Sequence, residues 1–139
     1  MSDALFSVKN QIVLITGGGR GIGKEIASAF ASSGATVINA GRGKATLDKT
    51  VEEISQKSAT IRAEVCDVSS SEDVNALVDS VVSQHGRIDT LVSVAGVNKR
   101  MKAEAYTTEE YDWITDINAK GAWIIAQAVG KKMTAQQSG

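Results

Sequence analysis

Apolar positions along this chain follow two alternating rhythms. A β-branched run at 11–15 (Gln-Ile-Val-Leu-Ile) stops at Thr16 and a cluster of glycines. From 22 to 33 the spacing becomes helical, with Ile22, Ile26, Ala29 and Phe30 on one face and Gly34 placed to end the helix. The alternation then repeats. A second strand is expected at 36–39 and a second helix at 44–57, with Leu47, Val51 and Ile54 at helical spacing. A third strand follows at 60–65. Ser69 and Glu72 have capping-box spacing for a third helix that buries Val74, Leu77, Val78, Val81 and Val82 and ends at Gly86. A fourth strand at 89–94 precedes a second capping box, Thr107 with Glu110. That box opens one long helix to about Thr134, with Tyr111, Ile114, Ile117, Gly121, Ile124, Ile125 and Ala128 as its apolar face.

Four strands, each followed by a helix, predict an α/β fold with a parallel sheet and helices on its faces. Ligands on such sheets sit at the carboxyl ends of the strands, beside the switch in strand order. The length of 139 residues suits one domain, and 42% hydrophobic residues suffice for a core. A net charge of −1 and 4% aromatic residues argue against nucleic acid or an anionic membrane as partner. With one cysteine, Cys66, an internal disulfide and a multi-cysteine zinc site are excluded. A single histidine, His85, removes His-pair metal sites, so no metal is expected; it reads as a helix-end residue rather than a catalyst. The N-terminus has no signal-peptide pattern, and no apolar run approaches a membrane span. The setting expected is soluble, reducing and cytoplasmic. Cys66, at a strand end, is expected to be a small buried residue.

The strongest local signal is Thr16-Gly17-Gly18-Gly19-Arg20-Gly21-Ile22-Gly23, between the first strand and the first helix. Glycines there allow a tight turn and bring backbone N–H groups up to a phosphate at the helix N-terminus. A glycine-rich turn with no ligand is the alternative, at a high cost in chain entropy. Gly-x-Gly-x-x-Gly fails in every register. A P-loop nearly fits through Gly18, Gly23 and Lys24, but the Mg²⁺-holding position is Glu25, which would repel phosphate. What does fit is Thr-Gly-x-x-x-Gly-x-Gly, through Gly17, Gly21 and Gly23.

On these residues the chain resembles the short-chain dehydrogenase/reductase family, whose Rossmann fold binds NAD(H) or NADP(H) through this loop. Other landmarks follow in the family's order. Asp67-Val68 looks like the pair whose Asp contacts adenine. Ser93-Val94-Ala95-Gly96 occupies the place of the family's Asn-Asn-Ala-Gly. Asn118-Ala119-Lys120-Gly121 resembles the segment that carries the catalytic Asn. The resemblance spans nearly all of 8–139 and implies strand order 3-2-1-4. It implies cofactor contacts at Thr16, Gly17, Gly19, Arg20, Gly21, Ile22, Gly23, Arg42, Asp67, Val68, Ala95 and Gly96, and a catalytic role for Asn118.

An NAD-binding site usually places an acid about 20 residues past the glycines to bond the ribose 2′-OH. Gly41 stands there, 18 residues after Gly23, and Arg42 follows. With Arg20 in the loop, two guanidiniums and no carboxylate favour NADP over NAD. Arg42 as an ordinary solvated turn residue is the alternative.

Two departures from the family stand out. Val94 offers no hydrogen-bonding side chain where the family has an asparagine amide, and Ser93 offers one hydroxyl. The family's Ser, Tyr and Lys are absent as well. No Tyr-x-x-x-Lys exists, since Glu110 follows Tyr106 and Thr115 follows Tyr111 at that spacing. That Tyr, its pKa lowered by the Lys and the cofactor, exchanges the proton as hydride moves. The chain therefore reads as one NAD(P)-binding domain over 1–139, truncated before the catalytic Ser and Tyr-x-x-x-Lys. As an incomplete Rossmann fold it leaves an apolar edge strand at Leu91-Val92 and a helix face that a homo-oligomer of the full-length form would cover. Trp113 and Trp123 read as packing or interface residues.

The function expected is an NADP(H)-dependent oxidoreductase interconverting a small alcohol and a carbonyl, inactive as this fragment alone. A catalytically silent nucleotide-binding or subunit-interaction module is the second reading. Lys99-Arg100-Met101-Lys102 is a solvated basic loop or a recognition site for an anionic substrate such as a sugar acid. The segments 96–100 and 126–130 are similar to gluconate 5-dehydrogenase-like members of the family.

Overall fold

A computed structural model describes residues 6–56 and 60–139. Strands and helices alternate as β1 (Ile12–Thr16), α1 (Gly21–Ser32), β2 (Thr36–Gly41), α2 (Lys44–Ser55), β3 (Thr60–Val65), α3 (Ser71–His85) and β4 (Thr90–Ser93). A 3-10 turn at Ala103–Ala105 leads to α4 (Thr108–Thr115), a π-helical turn at Asp116–Gly121 and α5 (Ala122–Gln136). The strands form one parallel sheet in the order β3-β2-β1-β4. The order implied by the family resemblance is therefore correct, and the switch point lies between β1 and β4.

Val13, Leu14 and Ile15 of β1 are fully buried because the sheet is covered on both faces. Val13, Ile15 and Val37 pack with Ala27 and Ala31 of α1 and Ile54 of α2. Leu14, Ile38 and Ala40 face α3 and α5, through Val74, Val78, Val81, Ile125 and Val129. Each fully buried Val, Leu or Ile contributes about 1.5–3 kcal/mol.

Several local expectations shift by a residue or a turn. The buried stripe of α1 is Gly23, Ala27 and Ala31, with Ile26 and Phe30 half-buried beside it. Ala29 is exposed, and Ile22 is 73% exposed because the first turn projects past the strand ends. The helix stops at Gly34 with φ +87°. Helix α2 ends at Ser55, and Lys57 lies outside the described residues. Thr50 is buried on α2, while Val51 is only half-buried. The cap of α3 is Ser70, not Ser69: its hydroxyl oxygen accepts from the Asp73 N–H at 3.2 Å. Ser69 is drawn away because its N–H and hydroxyl donate to Asp67 Oδ1 at 2.9 and 2.7 Å. Gly86 ends α3 at φ +81°. The Thr107–Glu110 capping box forms as expected, at 3.2 and 3.0 Å.

The long helix expected after Thr107 is interrupted. The π-helical turn widens the coil to i→i+5 bonding and breaks the 3.6-residue register. Ile117, Gly121, Ile125 and Val129 are buried, whereas Tyr111, ahead of the turn, is 63% exposed. Gln136 ties the end of α5 to the β4 approach: Ile88 N–H donates to its Oε1 at 3.0 Å and its Nε2 donates to Ile88 O at 2.9 Å. On β4, Leu91 and Val92 are half-buried against the two cores, and among the described residues β4 pairs only with β1. No helix among the described residues is long and apolar enough to cross a membrane.

Candidate functional site

Four strand ends and the start of α1 enclose a cleft of about 550 Å³, within the usual range for small-molecule sites. It opens at the carboxyl ends of the strands, over the switch between β1 and β4.

The loop after β1 forms one wall. Gly17 turns the chain at φ +80°, its N–H donating to Ala40 O at 2.8 Å. A Cβ at Gly17 would lie 2.6 Å from Ala95 N, so glycine lets the β1 and β4 exits meet. Gly23 packs just as closely within the loop itself. A Cβ there would meet the Gly17 carbonyl oxygen and sit 2.9 Å from Gly17 C and Gly18 Cα. Around Gly21, at φ +54°, there is open space. The first N–H groups of α1 have no intrahelical acceptor, and no acidic side chain stands in its first turn. The positive end of the α1 dipole thus opens uncompensated onto Gly19–Gly23, which all line the cleft.

The second wall is the β2 end, with Gly41, Arg42 and Leu47. Both Arg42 and Arg20 are exposed at the cleft. The segment after β3 adds Cys66, Asp67 and Val68. The segment after β4 adds Val94, Ala95 and Gly96, with Ile117 beside it. Every cofactor residue named from the sequence except Thr16 lines this cleft. Thr16 lies just beneath, 1% exposed, with its carbonyl accepting from Val94 N–H at 3.0 Å. Its hydroxyl has no partner among the described residues, and Val94 has no side-chain group to offer one. Backbone pairing alone joins the two strand ends here.

Asn118 does not line the cleft. Its amide is committed to the backbone after β4: Nδ2 donates to Val97 O at 2.8 Å and Oδ1 accepts from Val97 N–H at 2.7 Å. The π-helical turn presents it there. Gly121 on the same turn packs close to Val68, since a Cβ would fall 2.7 Å from Val68 Cγ2. The Lys99–Lys102 loop also lies outside the cleft, and Lys99 pairs with Glu110.

Hydrogen bonds from the Ser69 hydroxyl and N–H hold the Asp67 carboxyl below its usual 3.8, with a smaller contribution from Arg42. A carboxylate therefore persists in the cleft at neutral pH. Burial pushes the Cys66 thiol up to about 11, helped by Asp73 and Asp67, which makes it a poor nucleophile. Among the described residues no group of three or more His, Cys, Asp or Glu can hold a metal.

His85 closes α3, remote from the cleft. Burial, then Arg62, holds its imidazole below the usual 6.5. The unfolded chain therefore binds the proton more readily than the folded one. Stability from this group is complete above 6.5 and is lost as pH falls through the depressed folded value. The thermal midpoint should decline with acidification from that point. His85→Gln should flatten that segment of the profile; an unchanged slope would remove His85 as its source.

Two polar residues outside every motif of the sequence support the loop from beneath. Asn39 of β2 is fully buried, and its Nδ2 donates to Gly18 O at 3.0 Å. Thr50 of α2 is 2% exposed, and its hydroxyl donates to Gly19 O at 2.8 Å. Asparagine within an apolar strand was the available signal.

Residues 11–139 match the family model described as short chain dehydrogenase. The chain is 34% identical over 128 residues to a D-threitol dehydrogenase of Mycolicibacterium smegmatis, covering 92% of this chain and 49% of that protein. It is 33% identical over 135 residues to a 2-dehydro-3-deoxy-D-gluconate 5-dehydrogenase of Pseudoalteromonas atlantica, covering 96% and 53%. The solved structure of an NAD⁺-bound xylitol dehydrogenase superposes with a TM-score of 0.90 at 31% identity, covering 95% of this chain and 51% of that one. An actinorhodin polyketide ketoreductase with NADPH superposes at 0.89 and 29% identity, covering 94% and 51%. The chain thus spans about half the length of the relatives it matches.

Proposed function

This chain belongs to the short-chain dehydrogenase family, and from that premise we propose that it is the dinucleotide-binding part of an oxidoreductase that interconverts an alcohol and a carbonyl. One observation carries the reading: a glycine loop and an uncompensated helix N-terminus open together onto a cleft at the sheet's switch point.

The residues present fit a nicotinamide dinucleotide. The open space at Gly21 and the free N–H groups of α1 suit a pyrophosphate. In this reading Gly17, Gly19, Arg20, Gly21, Ile22 and Gly23 cradle it, with Thr16 supporting the loop from below. Asp67 and Val68 take the adenine end, while Ala95 and Gly96 flank the nicotinamide end. When bound, the cofactor supplies hydride transfer to or from the substrate carbon. The side chain of Asn118 acts by holding the Val97 backbone at the rim of the active site.

NADP(H) is favoured over NAD(H) by charge. Gly41 presents no carboxylate at the ribose side, Arg42 follows it on the same wall, and Arg20 is exposed at the cleft from the glycine loop. The polyol and sugar-acid names of the relatives support a small hydroxylated substrate. Exposed Tyr111, Trp113 and Trp123 support a homo-oligomer of the full protein.

Turnover in this reading needs a Ser and a Tyr-x-x-x-Lys that the 139 residues do not contain. The polypeptide should enhance NADPH fluorescence on binding, yet show no carbonyl-dependent NADPH oxidation. Oxidation above background, abolished by Asn118→Ala, would overturn the expectation of inactivity.

A further inference from the structure

A loop that receives a pyrophosphate must aim N–H groups at it and keep carbonyl oxygens away. Two consecutive carbonyls of this loop, at Gly18 and Gly19, are held by side chains from outside it. The Gly18 oxygen is anchored from β2 by Asn39, and the Gly19 oxygen from α2 by Thr50. These partners lie 21 and 31 residues further along the chain.

Stability alone gives little reason for an asparagine at residue 39. It pairs in register with Ile15, between fully buried Ile38 and Ala40. An apolar side chain there would avoid burying an amide whose Oδ1 has no partner among the described residues. Packing is also mutual, because a Cβ on Gly18 would overlap Asn39 Oδ1. Thr50 is likewise almost fully buried, and its hydroxyl finds the loop carbonyl rather than a carbonyl of its own helix. Both hydrogen bonds pull partial negative charge down into the protein. The free N–H groups of α1 are left at the cleft.

We propose that Asn39 and Thr50 are positioning residues for the dinucleotide, turning the Gly18 and Gly19 carbonyls inward so that the loop presents only donors to the pyrophosphate. The inference rests on the dinucleotide-binding reading above. It extends that reading to two residues that do not line the cleft. It also links loop and selectivity, since Asn39 lies two positions before Gly41 on the same strand.

The test compares two ligands on the same protein by isothermal titration calorimetry. NADPH carries the pyrophosphate, whereas adenosine 2′-monophosphate carries only the adenine and 2′-phosphate end. Thr50→Val keeps the side-chain shape and removes the donor. It should weaken NADPH about tenfold, the size of one lost hydrogen bond at a polar site. Binding of adenosine 2′-monophosphate should stay the same, and Thr50→Ser should restore NADPH affinity. Thr50→Ala gives the same comparison where Thr50→Val does not fold. Unchanged NADPH affinity, or equal weakening of both ligands, would overturn the positioning role and leave the site intact. Wild-type protein that binds neither NADPH nor NADH would overturn the dinucleotide reading itself.

Discussion

Gly23→Ala is expected to abolish dinucleotide binding and to destabilise the fold. The added methyl meets only backbone: the Gly17 carbonyl oxygen, with Gly17 C and Gly18 Cα each 2.9 Å away. No side chain can swing aside, so the loop itself must lift. Lifting it breaks the Gly17–Ala40 hydrogen bond and moves the Gly18 and Gly19 carbonyls off Asn39 and Thr50. Overpacking of this kind costs about 1–3 kcal/mol of stability. Binding should fall about 100-fold or more, because a displaced loop aims its donors elsewhere. Calorimetric titration of NADPH and a denaturant midpoint read the two effects separately. Gly130→Ala is the control. That glycine lies in α5 with nothing within 4 Å of a new Cβ. Alanine there should stabilise by up to about 1 kcal/mol through helix propensity and leave binding alone. Wild-type affinity in Gly23→Ala would refute the loop as the phosphate cradle.

The second large effect concerns cofactor choice. Gly41→Asp should weaken NADPH binding and spare NADH. The fold tolerates a side chain here, since a Cβ would meet Leu47 carbons at 3.7–3.9 Å, an ordinary contact. The thermal midpoint should therefore stay near that of the wild type, and any change in binding is electrostatic. A carboxylate about 4 Å from a 2′-phosphate repels it by about 1–4 kcal/mol per charge pair at a partly solvated site. NADPH affinity should drop about tenfold or more. NADH, which has a 2′-hydroxyl there, loses nothing and gains an acceptor. Equal affinity of the variant and wild type for NADPH would remove Gly41 and its neighbouring arginines as the basis of selectivity.

Much of this architecture is written locally. β-branched runs, helical spacing and Gly34 and Gly86 as stops are short-range signals, and the four strands and first three helices lie close to their expected places. The fingerprint glycines were legible for the same reason. Gly17 and Gly23 are required by close backbone approaches, Gly17 to Ala95 and Gly23 to Gly17 and Gly18. Small local choices were not legible. Ser69 and Ser70 offer the same hydroxyl to α3, and only the pull of Asp67 on Ser69 decides between them.

Sequence by itself determined the alternating parallel architecture, the strand-end location of the cleft and most of its lining. Those features depend on periodicity, turn chemistry and residues close together in the chain. Tertiary structure alone decided that Ile22 projects over the cleft while Ala27 and Ala31 pack beneath it. It decided that a π-helical turn carries Asn118 to the Val97 backbone. It also decided that Asn39 and Thr50 meet the glycine loop. A buried hydrogen-bond donor takes whatever acceptor the packed elements bring near it. That pairing exists only once β2 and α2 have docked beside the loop.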